Sequence, residues 1–193
     1  MRKHILLLIF VVLTLSACMN DTSRLGTTYF SMDSLVNAQI EYFANKEVLL
    51  NKSATINGIE ESNVLKPDSL VWASELEIFR KADITKAAYS NAFDISIIPD
   101  TESNLKILQY TSKSEMPVKS LKIYFLHEVS DIRKISAVIK EDTRVFTNDK
   151  VVNMNFEKVA GISVLKSYNI EGKQKMLLSD STLYSIRGSI DPK

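Results

Sequence analysis

The sequence predicts an α+β fold, with N-terminal helices packed on a C-terminal antiparallel meander sheet of about six to eight strands. Three observations carry that prediction. Between Met32 and Ala92, apolar residues recur at spacings of three and four, the period of an amphipathic helix. After residue 104 the period changes to two, as in strands with one covered face. The later apolar runs are joined by short connections, whereas parallel strands need crossovers of about a dozen residues or more.

The chain opens on Arg2, Lys3 and His4, an apolar run from Ile5 to Leu13, and the small-residue boundary Leu15-Ser16-Ala17-Cys18. This order is that of a secretory signal. A retained span would need about 20 apolar residues, more than the uninterrupted run provides. The Leu-Ser-Ala-Cys box resembles that of bacterial lipoprotein precursors. The resemblance implies cleavage between Ala17 and Cys18, leaving Cys18 as an acylated, palmitate-bearing N-terminus held in a membrane of the cell envelope. Met19 follows the cysteine where the enterobacterial retention signal has Asp, which by the same resemblance favours the outer membrane if the host has one. Residues 1–17 are thus expected to be the signal peptide, 18–28 the lipidated cysteine and a tether, and 29–193 a single α+β domain. The tether expectation rests on the Asn, Asp, Ser, Thr and Gly between Met19 and Thr28.

A first helix is predicted from a cap at Ser31 or Asp33, with Met32, Val36, Ile40 and Phe43 on one face and Asn37, Glu41 and Asn45 on the other. A strand through Ser53 to Ile56 then turns at Asn57-Gly58. Pro67-Asp68-Ser69 starts a second helix carrying Leu70, Trp72, Leu76 and Phe79, to about Ala82. Asp83 is a candidate cap for a third, Ile84 to Ala92. Phe93 to Ile97 alternates and breaks at Pro99-Asp100.

The second half supplies runs at Leu105 to Tyr110, Leu121 to Leu126, Ile135 to Ile139, Val145 to Thr147, Val151 to Phe156, Ile162 to Ile170, Lys175 to Leu178 and Leu183 to Ile190. Ser130-Asp131, Asn148-Asp149, Glu171-Gly172 and Ser179-Asp180 read as turns between them. The expected core sets Trp72, Phe79, Ile40 and Phe43 against Ile123, Phe125, Ile139, Met154 and Val164.

Chemistry is constrained mainly by what the chain lacks. The signal takes His4, and acylation takes the only cysteine, so His127 is the single histidine of the mature chain. This argues against Cys-His nucleophiles, zinc sites and a disulfide framework. The glycines are scattered singly, each best explained by a tether, turn or bulge, and no phosphate loop is present. Of the 24 basic residues, Arg2 and Lys3 leave with the signal, so 22 face 23 acidic ones. Without a basic excess, nucleic acid is not an expected partner.

Three carboxylate pairs, Glu60-Glu61, Asp100 with Glu102, and Glu141-Asp142, are candidates for acid-base chemistry or a hard cation. All lie beside turns or polar runs and read as solvated. Asp33-Ser34-Leu35, Asp68-Ser69-Leu70 and Asp180-Ser181-Thr182 resemble the O-glycosylation site of Bacteroidota, although the first two also fall where helices need caps. Trp72, the single tryptophan, is a candidate interaction anchor. Its spacing from Leu76 and Phe79 reads as core.

No catalytic residue, metal ligand or cofactor is expected. In style, the chain is similar to small uncharacterised envelope lipoproteins of Bacteroidota, a likeness that transfers no active-site residue. The expected role is a non-enzymatic, lipid-anchored envelope protein of binding or accessory type. Its partners would be the membrane, through acylated Cys18, and an envelope protein. A carrier of lipid or another apolar ligand is the alternative, and a carboxylate-based envelope hydrolase is a second.

Overall fold

The computed structural model describes residues 29–192; the expected signal, Ala17, Cys18 and tether lie outside the described residues. Helix α1 (Met32–Ala44) is followed by β1 (Val48–Ile56), β2 (Ile59–Leu65) and helix α2 (Ser69–Arg80). Seven further strands complete the described residues: β3 (Phe93–Pro99), β4 (Lys106–Ser112), β5 (Val118–Phe125), β6 (Ile132–Asp142), β7 (Phe146–Val159), β8 (Ile162–Met176) and β9 (Thr182–Pro192). All nine strands form one antiparallel sheet in the order β2-β1-β9-β8-β7-β6-β5-β4-β3. The protein is mostly β.

Both helices begin where side chains supply acceptors for otherwise unpaired amides. The Ser31 side chain accepts from the Ser34 N–H at 3.1 Å, and that of Asp68 from the Val71 N–H at 2.8 Å. Asp33 is therefore not the cap of α1. It lies in the first turn and pairs with Arg80 of α2. Met32, Val36, Gln39 and Phe43 form the buried stripe of α1, and Trp72, Leu76 and Phe79 that of α2. Phe43 stacks on Trp72 with ring centroids 4.6 Å apart.

One hydrophobic cluster holds the apolar residues of these two stripes together with Leu50, Leu121, Ile123, Ile135, Ile139, Met154 and Val164 of the sheet. Phe79 meets the Tyr168 ring edge-on at 5.5 Å. Gln39 is buried beside the place where β7 and β8 shift register, between Asn155 and Phe156. There its carboxamide accepts from the Leu165 N–H at 2.8 Å and donates to Ser163 O at 3.1 Å, satisfying backbone groups that burial would otherwise leave unpaired.

Several expectations are corrected. The sheet has nine strands instead of six to eight, and two of them precede α2. The third helix is only a short 3-10 turn, Ala87–Tyr89. Asn148-Asp149 and Glu171-Gly172 are not turns, since they lie inside β7 and β8, which run for 14 and 15 residues. Asn57-Gly58 does turn the chain, with both φ angles positive, at 49° and 88°. That is the geometry of a tight two-residue hairpin, which favours Asn and Gly. Ile40 is only half-buried, and Phe125 is buried outside the main cluster.

Gly172 and Gly188 have a different role from turn or bulge. Tyr168 pairs with Gly188 and Gly172 with Tyr184 across β8 and β9, so that each tyrosine ring covers a glycine on the neighbouring strand. A Cβ at residue 188 would stand 2.2 Å from Tyr168 Cζ, and one at residue 172 would stand 2.4 Å from Tyr184. Tyr168 cannot swing aside easily, because it is 2 % exposed, bonded to Glu75 and held by Phe79. Gly188→Ala is accordingly expected to destabilise the fold by about 2 kcal/mol, a typical cost of overpacking. Urea unfolding would read this as a lower midpoint at unchanged slope, and an unchanged midpoint would refute the crowding argument.

Candidate functional site

Alternation along strands gives the sheet two faces. Tyr168, Gly188 and Lys52 belong to the core face, where Lys52 Nζ pairs with Glu75 of α2 at 2.8 Å. Their sequence neighbours therefore point to the other, open face. Register aligns these neighbours in two rows across the strands. One row runs Val64, Asn51, Ser189, Ser167 and Asn155; the next runs Ser62, Ser53, Arg187 and Asn169.

These residues line a groove of about 770 Å³. Its side chains are amides and hydroxyls with one guanidinium, Arg187, and one apolar contact, Val64. Asn155 Nδ2 donates to Ser167 Oγ at 3.1 Å. The Asn169 amide donates to Glu171 Oε1 at 3.0 Å, which orients its carbonyl. Asn169 Oδ1 and Ser185 Oγ, the latter two residues before Arg187 on β9, are closed off from solvent and have no hydrogen-bond partner. An unpaired buried acceptor costs about 1 to 3 kcal/mol, so turning Asn169 Oδ1 out to a donor in the groove would be favoured. The groove can thus hold a hydrogen-bonding partner, but it contains no nucleophile-base pair.

The buried ionic groups form separate, internally paired sets. Glu141 Oε2 contacts Lys150 Nζ at 2.9 Å, and its Oε1 contacts Lys81 Nζ at 3.0 Å. Burial opposes ionisation of Glu141, yet hydrogen bonds from Lys150 and Lys81 outweigh it and hold the carboxyl below its ordinary value. Burial, reinforced by the Glu75 carboxylate, pushes the Tyr168 hydroxyl far up, so it serves as a donor and not as a base. Tyr184 is also raised by burial, and its hydroxyl donates to Asn148 Oδ1 at 2.9 Å.

The carboxylate pairs read from the sequence do not become facing pairs. Glu60 and Glu61 are neighbours on exposed edge strand β2, and Glu141 and Asp142 are neighbours on β6. Adjacent strand residues point to opposite faces. Asp100 and Glu102 lie in the exposed β3–β4 connection, where Asp100 accepts from Ser103 Oγ at 2.6 Å. Among the described residues, no group of three or more His, Cys, Asp and Glu is placed to hold a metal ion.

His127 is exposed in the β5–β6 connection. Trp72 is 0 % exposed, so its indole offers no surface to a partner and belongs to the core. Ser34 and Ser69 of the two Asp-Ser-Leu sites are exposed, and Asp68 acts as a cap. The groove was missed in the sequence because isolated Asn and Ser residues carry no motif. Only strand register assembles them.

No protein-family model matches this chain, and no curated protein or solved structure is significantly similar to it.

Proposed function

We propose that this protein is a lipid-anchored, non-catalytic binding protein of the cell envelope, attached through acylated Cys18 and facing a protein partner with its open sheet face. The observation that carries the reading is the groove over β2, β1, β9, β8 and β7, with Asn169 Oδ1 closed off and unpartnered. The groove abuts edge strand β2, whose residues are almost all exposed. An edge presents free backbone donors and acceptors, so an extended segment of a partner can add alongside β2 and send side chains into the groove.

In this reading the two helices cover the core face, supported by the Gln39, Glu75 and Phe79 contacts. The lipobox resemblance supports the anchor and favours the outer membrane. A carrier of apolar ligands is less well supported, since Trp72, Leu76, Phe79 and Met154 fill the space where helices and sheet meet. An exposed apolar cavity would have to open there.

Ser189→Tyr tests the binding role. Tyrosine suits a strand, and at this position it would obstruct the middle of the groove. Protein extracted gently from native membranes is expected to bring a stoichiometric partner with it, and the variant to lose that partner with its urea midpoint unchanged. Recovery of the wild type as a lone monomer, or retention of the partner by the variant, would count against the reading.

A further inference from the structure

The end of the sheet where β6 meets β7 and β8 meets β9 is unusually apolar for an exposed region. Val145, Met176, Leu177 and Leu178 are 60 %, 54 %, 70 % and 96 % exposed. The two turns form one surface, since the Leu177 N–H donates to Val145 O at 3.0 Å and Met176 pairs with Phe146. The β1–β2 turn extends it with exposed Ile56 and Ile59, tied to exposed Leu183 by the Asn57 N–H to Leu183 O bond at 2.9 Å. Other exposed apolar side chains, such as Leu70, Val138 and Ile162, occur singly and need no explanation.

The start of the described chain lies at this same end. Tyr29 packs edge-on against Phe93, the first residue of β3, at 5.7 Å. In an antiparallel meander the start of β3 shares its end with the β6–β7 and β8–β9 turns. Side chains give an independent link: Asp33 of α1 pairs with Arg80, and the next residue, Lys81, pairs with Glu141 near the end of β6. Ten residues separate Cys18 from Tyr29, a reach of at most about 35 Å.

We infer that this apolar end docks into the interface of the bilayer that holds the acylated Cys18, so the domain stands on the membrane in one orientation. The inference rests on the lipid-anchor reading above. Exposed Arg144, Lys173 and Lys175 lie near the turns, but Asp142, Asp149 and Asp180 balance them. Attachment of the end is therefore driven by apolar burial, and an anionic lipid is not required.

The test uses full-length protein produced through the export pathway and reconstituted in phosphatidylcholine vesicles. Intact mass first reads whether Cys18 is acylated. A polarity-sensitive fluorophore is placed at Leu178→Cys and, as a control at the opposite end, at Glu102→Cys. The expected result is a blue-shifted emission at position 178, quenched by nitroxide lipids, with the probe at 102 unaffected and the outcome insensitive to salt.

An acylated, vesicle-bound protein whose two probes report the same aqueous surroundings would overturn the docking and leave the anchor intact. A mass lacking acyl chains would overturn the anchor and the docking that rests on it, a failure that the mass alone tells apart from the first. A blue shift at 178 in vesicle-free buffer would show that a second copy covers the end, and would also overturn the proposal.

Discussion

Trp72→Ala is expected to destabilise the protein by about 3 to 5 kcal/mol, the range for deleting a large aromatic from a packed core. The indole is 0 % exposed and stacked on Phe43 at 4.6 Å, so the change removes a stacking partner of α1 and leaves a cavity in the core. Against a total stability of about 5 to 15 kcal/mol, the loss could leave a substantial unfolded population. Urea unfolding followed by circular dichroism would measure it.

Trp72→Phe separates packing from polarity. Trp72 Nε1 has no hydrogen-bond partner, so replacing indole by phenyl removes an unsatisfied buried donor along with some volume. The two effects oppose one another, and the expected cost is under about 1.5 kcal/mol. Retention of partner binding in this variant would agree with a purely internal role. Lost binding with an unchanged midpoint would show that the indole is read by a partner after all.

The same residue shows what was legible in the sequence. Spacings of four and three, Trp72 to Leu76 to Phe79, mark a helix face without any tertiary information, and Asp68 three residues before Val71 marks its start. Local chemistry of this kind also located the Asn57-Gly58 hairpin. By contrast, β2 contains Glu60, Glu61, Ser62 and Asn63, with no apolar alternation to reveal a strand. It exists because β1 offers it a ladder.

Non-local pairing likewise overrides apparent turn chemistry. Gly172 sits within β8 because Tyr184 of β9 needs the space above it, and Asn148, within β7, bonds Glu141 on neighbouring β6 and Tyr184 on β9, two strands away. Placement of β1 beside β9 joins residues 48–56 to 184–192, a closure that no short-range pattern encodes. The groove depends wholly on that closure. Its two rows draw on five strands, and no segment of the sequence contains more than a few of their residues.

Glu141→Gln is the second change expected to act strongly, because its partner Lys150 has only 1 % of its side chain exposed. Glutamine keeps the shape and an acceptor but removes the charge, leaving the buried ammonium without its counter-ion. Breaking a buried pair from one side costs about 3 to 5 kcal/mol. Glu141 is one-quarter exposed, so solvent screening places the expected loss near about 3 kcal/mol or below. Lys81 cannot compensate, since it carries the same sign as Lys150. Changing both partners, Glu141→Gln with Lys150→Met, is expected to recover much of the loss, because no buried charge is left behind.

The pH dependence follows from the direction of the Glu141 shift. Burial raises its pKa, but the hydrogen bonds from Lys150 and Lys81 lower it further, so the folded value lies below the ordinary 4.5. The unfolded chain therefore binds the proton first as pH falls, and the stabilisation is fully present above about 4.5 and lost through the lower folded value. The stability gap between wild type and Glu141→Gln should be widest at neutral pH and narrow steadily below 4.5. Urea titrations from pH 7 downward would show it. A gap of constant size across that window would mean that the Glu141 carboxyl contributes through packing alone.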